Sequence, residues 1–86
     1  MAYTVMTTGR ALLASSEAAL PNGGKVVTEI IEDGDATIYA SLHFDPNGVQ
    51  ILGYFCGSCG GVSVGCVECP NNNPVVNCVT RTIYCG

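Results

Sequence analysis

Two Cys-x-x-Cys units, Cys56-Gly57-Ser58-Cys59 and Cys66-Val67-Glu68-Cys69, stand six residues apart, and Cys78 and Cys85 follow them. Thiols so spaced have a short list of uses. Six can pair as three disulfides, each stabilising a small chain by roughly 2–4 kcal/mol. Four of them, Cys56, Cys59, Cys66 and Cys69, can instead present thiolates tetrahedrally to zinc, since two intervening residues let both sulfurs of a unit face one ion. Gly60 suits the tight turn of such a knuckle. The six-residue spacer is shorter than the ~12–20 residues of common zinc ribbons, which favours the disulfide framework, and zinc stays the alternative cofactor. Redox catalysis fits poorly. A reactive Cys-x-x-Cys has its first cysteine at a helix N-terminus, and the Gly60-Gly61-Val62-Ser63-Val64-Gly65 that follows does not start a helix. The spacing also departs from ferredoxin-type cluster runs, although Cys69-Pro70 resembles the way some of them end.

Other reactive side chains are sparse. Glu32, Asp33 and Asp35 crowd one turn without the spacing of a calcium loop, and they read as a solvated acidic turn. His43 is the single histidine, and it reads as a strand surface residue. No nucleophile elbow, phosphate loop or HExxH pattern is present. These observations point away from an enzyme, with no catalytic residues to assign.

Charge narrows the partners. Charged residues are 12% of the chain and the net charge is −4, with only Arg10, Lys25 and Arg81 positive. Three scattered cations cannot line a phosphate backbone, so nucleic acid is not an expected partner. No apolar run approaches the ~18–20 residues of a membrane span. Copies of so weakly charged a chain repel one another little, which favours self-association. The N-terminal residues have no basic region ahead of an uninterrupted apolar stretch, so no signal peptide is expected. Cysteine usage nonetheless favours an oxidising final location or a released particle.

The elements that must hold the thiols follow from patterning. Residues 4–20 carry Ala and Leu, with Val5, Leu12, Ala19 and Met6, Leu13, Leu20 at seven-residue spacing. They predict a helix capped by Thr7 or Thr8 and stopped by Pro21-Asn22-Gly23-Gly24. Residues 25–56 predict a three-stranded antiparallel meander of 25–32, 36–44 and 49–56, with turns at Asp33-Gly34 and Asp45-Pro46-Asn47-Gly48. A four-residue second turn pairs Phe44 with Val49. It places Ile38, Ala40, Leu42, Phe44, Val49, Ile51 and Phe55 on one face. Thr37, Tyr39, Ser41, His43, Gln50, Leu52, Tyr54 and Cys56 take the other. Residues 56–86 predict a cross-linked β-rich lobe.

The expectation is therefore one small α+β domain over residues 1–86: helix, meander and Cys-rich lobe. A chain this short buries only ~60–65% of its unfolded surface and needs such staples. The expected function is a non-enzymatic, cysteine-cross-linked structural or self-assembling module, forming a homo-oligomer or filament. Tyr39, Leu52 and Tyr54 are the contact candidates, because they make a nominally solvent-facing surface too apolar. One alternative is a small zinc-binding interaction domain. Another is a modified-peptide precursor, in which Asn22-Gly23-Gly24 resembles a double-glycine processing site ahead of a Cys-rich core.

Overall fold

The structure is a computed structural model and describes residues 10–86. Every regular element in it is a strand: β1 (Arg10–Ala19), β2 (Lys25–Asp33), β3 (Ala36–Phe44), β4 (Gln50–Cys59), β5 (Val62–Glu68), β6 (Pro74–Asn77) and β7 (Thr82–Cys85). The first five form an antiparallel sheet in chain order, β1-β2-β3-β4-β5, and β6 and β7 pair as a separate ribbon. The fold among the described residues is all-β, which overturns the α+β expectation.

The predicted helix over 4–20 is the main correction. Its residues 4–9, with the cap candidates Thr7 and Thr8, lie outside the described residues. Residues 10–19 are strand, pairing with β2 from Arg10↔Asp33 to Ala19↔Lys25 around a bulge between Leu12 and Ala14. Ala, Leu and Glu favour helix by only a few tenths of a kcal/mol each, and a continuous ladder with β2 outweighs that. Pro21-Asn22-Gly23-Gly24 does not end a helix but turns a hairpin. The Gly23 N–H donates to the Leu20 carbonyl at 3.1 Å, and the Leu20 N–H to the Gly24 carbonyl at 2.9 Å.

The Asp33-Gly34 turn behaves as expected, joining Asp33 to Ala36. The next turn does not. The Asp45 N–H donates to the Val49 carbonyl and the Gly48 N–H to the Asp45 carbonyl, both at 2.9 Å. The Asp45 carboxylate also accepts from the N–H groups of Asn47 and Val49 at 2.9 Å each. These bonds shorten the loop, so Phe44 lies opposite Gln50 rather than Val49, and the register then slips before His43↔Leu52. Ile51 is the residue left over. Val49 and Ile51 are 58% and 67% exposed rather than buried, and Gln50 takes the inner side. The bulge restores the predicted parity from Leu52 onward.

The inner face is where the core sits. Val27, Ile31, Ile38, Leu42 and Phe55 are fully buried, joined by Ala40, Phe44 and Cys69. Glu29 lies in the same inward row at 1% exposure, which is why 25–33 shows no clean alternation in the sequence. The β6–β7 ribbon covers part of this face through Val76 and Ile83. Room for it comes from β4, whose inward positions read Gly53, Phe55, Gly57. A Cβ at Gly57 would lie 2.8 Å from Val76 Cγ2, and one at Gly53 would lie 2.6 Å from Asn72 Oδ1 and 3.0 Å from the Cys69 carbonyl.

Leu42→Ala is expected to cost about 2–5 kcal/mol as a large-to-small core change, and His43→Ala on the opposite face well under 1 kcal/mol. Gly57→Val should destabilise by about 1–3 kcal/mol through overpacking against Val76. Chemical denaturation of the oxidised variants measures all three, and equal losses for Leu42 and His43 would contradict this assignment of faces.

Candidate functional site

The described cysteines are all paired: Cys56–Cys66, Cys59–Cys78 and Cys69–Cys85. Each has a distinct architectural origin. Gly60 and Gly61 both have positive φ, 58° and 82°, and form the two-residue turn between Cys59 and Val62. Such turns match the twist of the flanking strands only with both residues in that region. The β4–β5 register that follows sets Cys56 directly opposite Cys66, with 4.0 Å between their Cα atoms. The other two bonds join the sheets. Cys59, at the end of β4, reaches Cys78 in the β6–β7 turn, and Cys69, just past β5, reaches Cys85 at the end of β7.

Neither Cys-x-x-Cys unit therefore acts as a unit. Cys56, Cys59, Cys66 and Cys69, the four thiolates of the zinc reading, are divided among three disulfides. Among the described residues no three His, Cys, Asp or Glu side chains are placed to hold one metal ion. Asn22-Gly23-Gly24, the processing-site candidate, is the turn of the β1–β2 hairpin. No helix among the described residues is long and apolar enough to cross a membrane.

Polar contacts finish the attachment of the ribbon. The Arg10 side chain, 5% exposed, donates from Nε to Asp33 Oδ2 at 3.1 Å and from Nη2 to the Pro74 carbonyl. It thus ties β1, the β2–β3 turn and β6 together, while its Nη1 has no hydrogen-bond partner among the described residues. Gln50 and Asn72 exchange both amide hydrogen bonds at 2.6 Å, and Asn72 is largely buried with φ 55°. Sequence reasoning missed these three residues. Arg10 lies in the segment predicted as a helix, and Gln50 was expected on the outer face.

The acidic turn is dispersed. Asp33 is paired with Arg10, and Glu32 and Asp35 are exposed. Asp33 and Asp35 border an open cleft of about 300 Å³ against Val75, Val76 and Tyr84 of the ribbon. His43 lies on the outer face with its Nε2 3.3 Å from Ser41 Oγ. That pair sits on β3, a central strand paired on both sides.

Tyr39, Leu52 and Tyr54 do come together. Following the register, one outer row runs Ala14, Ile30, Tyr39, Cys56, Cys66, the next Ser16, Thr28, Ser41, Tyr54, Glu68, and a third Ala18, Val26, His43, Leu52. Tyr39 and Tyr54 are 50% and 44% exposed, while Leu52 is half-buried. Glu68 is the only formal charge in these three rows.

Compared with known proteins, the chain matches no family model, no curated protein and no solved structure. Function must therefore be read from the surface and the cross-links themselves.

Alkylation without reductant is expected to add no mass. Proteolysis of the oxidised chain should yield peptides linked 56–66, 59–78 and 69–85 and no other pairing. Four thiols that react only after chelation would reinstate the zinc site.

Proposed function

We propose that this chain is a non-enzymatic, disulfide-cross-linked structural module that assembles with copies of itself through the outer face of its five-stranded sheet. The observation that carries the proposal is the composition of that face. Two half-exposed tyrosines, Ile30, Val26, Leu52 and the Cys56–Cys66 disulfide lie among Ser and Thr hydroxyls, with two carboxylates, Glu32 and Glu68, toward the margins. A second copy suits this surface better than a charged partner does. The chain carries −4 overall, yet only Glu32 and Glu68 of its carboxylates lie on this face, so two outer faces can meet in an orientation that keeps like charges apart.

Area sets the strength. Five strands ~4.8 Å apart and roughly eight residues long at ~3.3 Å each present on the order of 600 Å² per copy. A standard stable interface uses ~800 Å² per partner, so association is concentration-dependent. Three disulfides are compatible with an oxidising setting, where a small cross-linked module of this kind keeps its shape without a large core.

Sedimentation of the oxidised protein across micromolar concentrations tests the proposal. Species heavier than the 8.9 kDa chain are expected. The Tyr39→Ser, Tyr54→Ser double variant should return it to the monomer mass without lowering its melting temperature. A single 8.9 kDa species for the unmodified protein at all concentrations would end the assembly reading.

A further inference from the structure

The three disulfides differ in what surrounds their sulfurs. Cys69 is fully buried in the core, so a thiolate expelled there would be stranded in apolar surroundings. Neither Cys59 nor Cys78 is exposed, and their bond holds the ribbon to β4. Cys66 is exposed, on the outer face of β5 at the rim of the sheet, and its partner Cys56 is half-buried on the same face. The β4–β5 ladder runs from Tyr54↔Glu68 to Cys59↔Val62 on both sides of this bond. The two residues therefore stay opposed whether or not their sulfurs are joined, and the ribbon stays attached through the other two disulfides.

We infer that Cys56–Cys66 is a thiol-exchange site through which copies of this chain become covalently linked. A small-molecule thiolate such as glutathione attacks Cys66 Sγ. The Cys56–Cys66 bond breaks, a mixed disulfide forms on Cys66, and the electron pair leaves on Cys56 Sγ as a thiolate. That thiolate attacks Cys66 Sγ of a second copy, forming an intermolecular disulfide and releasing the second copy's Cys56 thiolate. Each later step exchanges one disulfide for another, so no oxidant is consumed and the initiating thiol remains as a cap. Exchange needs a thiolate, an accessible sulfur and a leaving sulfur that can bear charge, and this pair meets the last two conditions best. Cys56 lies directly opposite Tyr39 and two residues from Tyr54 on β4, so the inference rests on the outer-face assembly proposed above for bringing two copies together.

The test uses trace glutathione on the oxidised protein at neutral to mildly alkaline pH. In one arm, opened thiols are trapped with N-ethylmaleimide and mapped. Cys56 should carry the maleimide and Cys66 a glutathione adduct, at least about tenfold ahead of either mark on the other four cysteines. In the other arm, nothing is trapped, and non-reducing denaturing electrophoresis should show a ladder of multiples of the chain mass. The Cys56→Ser, Cys66→Ser double variant, checked by mass for its two remaining disulfides, should give no ladder yet still sediment as an assembly. Earlier labelling at any other cysteine overturns the inference, as does a ladder that persists in the double variant. So does opening at Cys56 and Cys66 with the wild type still monomeric on the gel. Sedimentation of the double variant reports separately on assembly, so failure of the exchange site and failure of the outer-face reading are distinguishable.

Discussion

Two four-residue strands cannot hold themselves together in water, and the whole C-terminal part of this chain depends on how β6 and β7 are fastened to the main sheet. The fastening is partly a vacancy. Gly53 and Gly57 remove side chains from the inner face of β4 on either side of Phe55; Val76 and Ile83 approach into the space at Gly57, and Asn72 and the Cys69 carbonyl into that at Gly53. It is partly covalent, since Cys59–Cys78 and Cys69–Cys85 clamp the ribbon near its turn and near its end. Arg10 and the Gln50–Asn72 pair supply the polar remainder. Burying a guanidinium is costly unless its donors are met, and here Asp33 and the Pro74 carbonyl accept from it.

Much of the meander was legible because a half-buried strand repeats every two residues. Ile38, Ala40, Leu42 and Phe44 alternate with Thr37, Tyr39, Ser41 and His43, and the structure buries the first set. The turn after Phe44 was misread because loop length is decided by the Asp45 carboxylate and the backbone bonds around it, which the hydrophobic pattern does not report. β1 was missed for a different reason. Its residues are good helix formers, and what makes them a strand is a partner, β2, whose ladder is a tertiary fact. Pro21-Asn22-Gly23-Gly24 was as strong a hairpin signal as Asp45-Pro46-Asn47-Gly48, and only the composition before it directed the reading to a helix.

The cysteine pairing was not legible, since six cysteines allow 15 arrangements. One bond had a sequence trace nonetheless. Gly60-Gly61 is a hairpin signal, and counting outward from it brings Cys56 opposite Cys66 once the irregularity between Gly57 and Ser58 is allowed for. Read as part of a knuckle turn, Gly60 suited the zinc alternative instead. On the surface, the grouping of Tyr39, Leu52 and Tyr54 follows from alternation alone. Their continuity with Ile30 and the Cys56–Cys66 bond needed the register of all five strands.

The order of strands in the main sheet is the order in which a ribosome makes them, and this bears on how the chain matures. Each hairpin from β1 to β5 closes against the segment just synthesised, so the sheet is built from local contacts of the kind that form fast. Cys56 meets Cys66 within that growing sheet. Cys59 and Cys69, by contrast, must wait unpaired until residues 78 and 85 have emerged, with near neighbours in sequence available for wrong bonds. The ladder guards against this, because β4 and β5 hold those near neighbours at fixed positions while the last turn arrives. Maturation should therefore have a slow oxidative step that begins only when Cys78 and Cys85 are available, set by the sulfurs and not by the sheet.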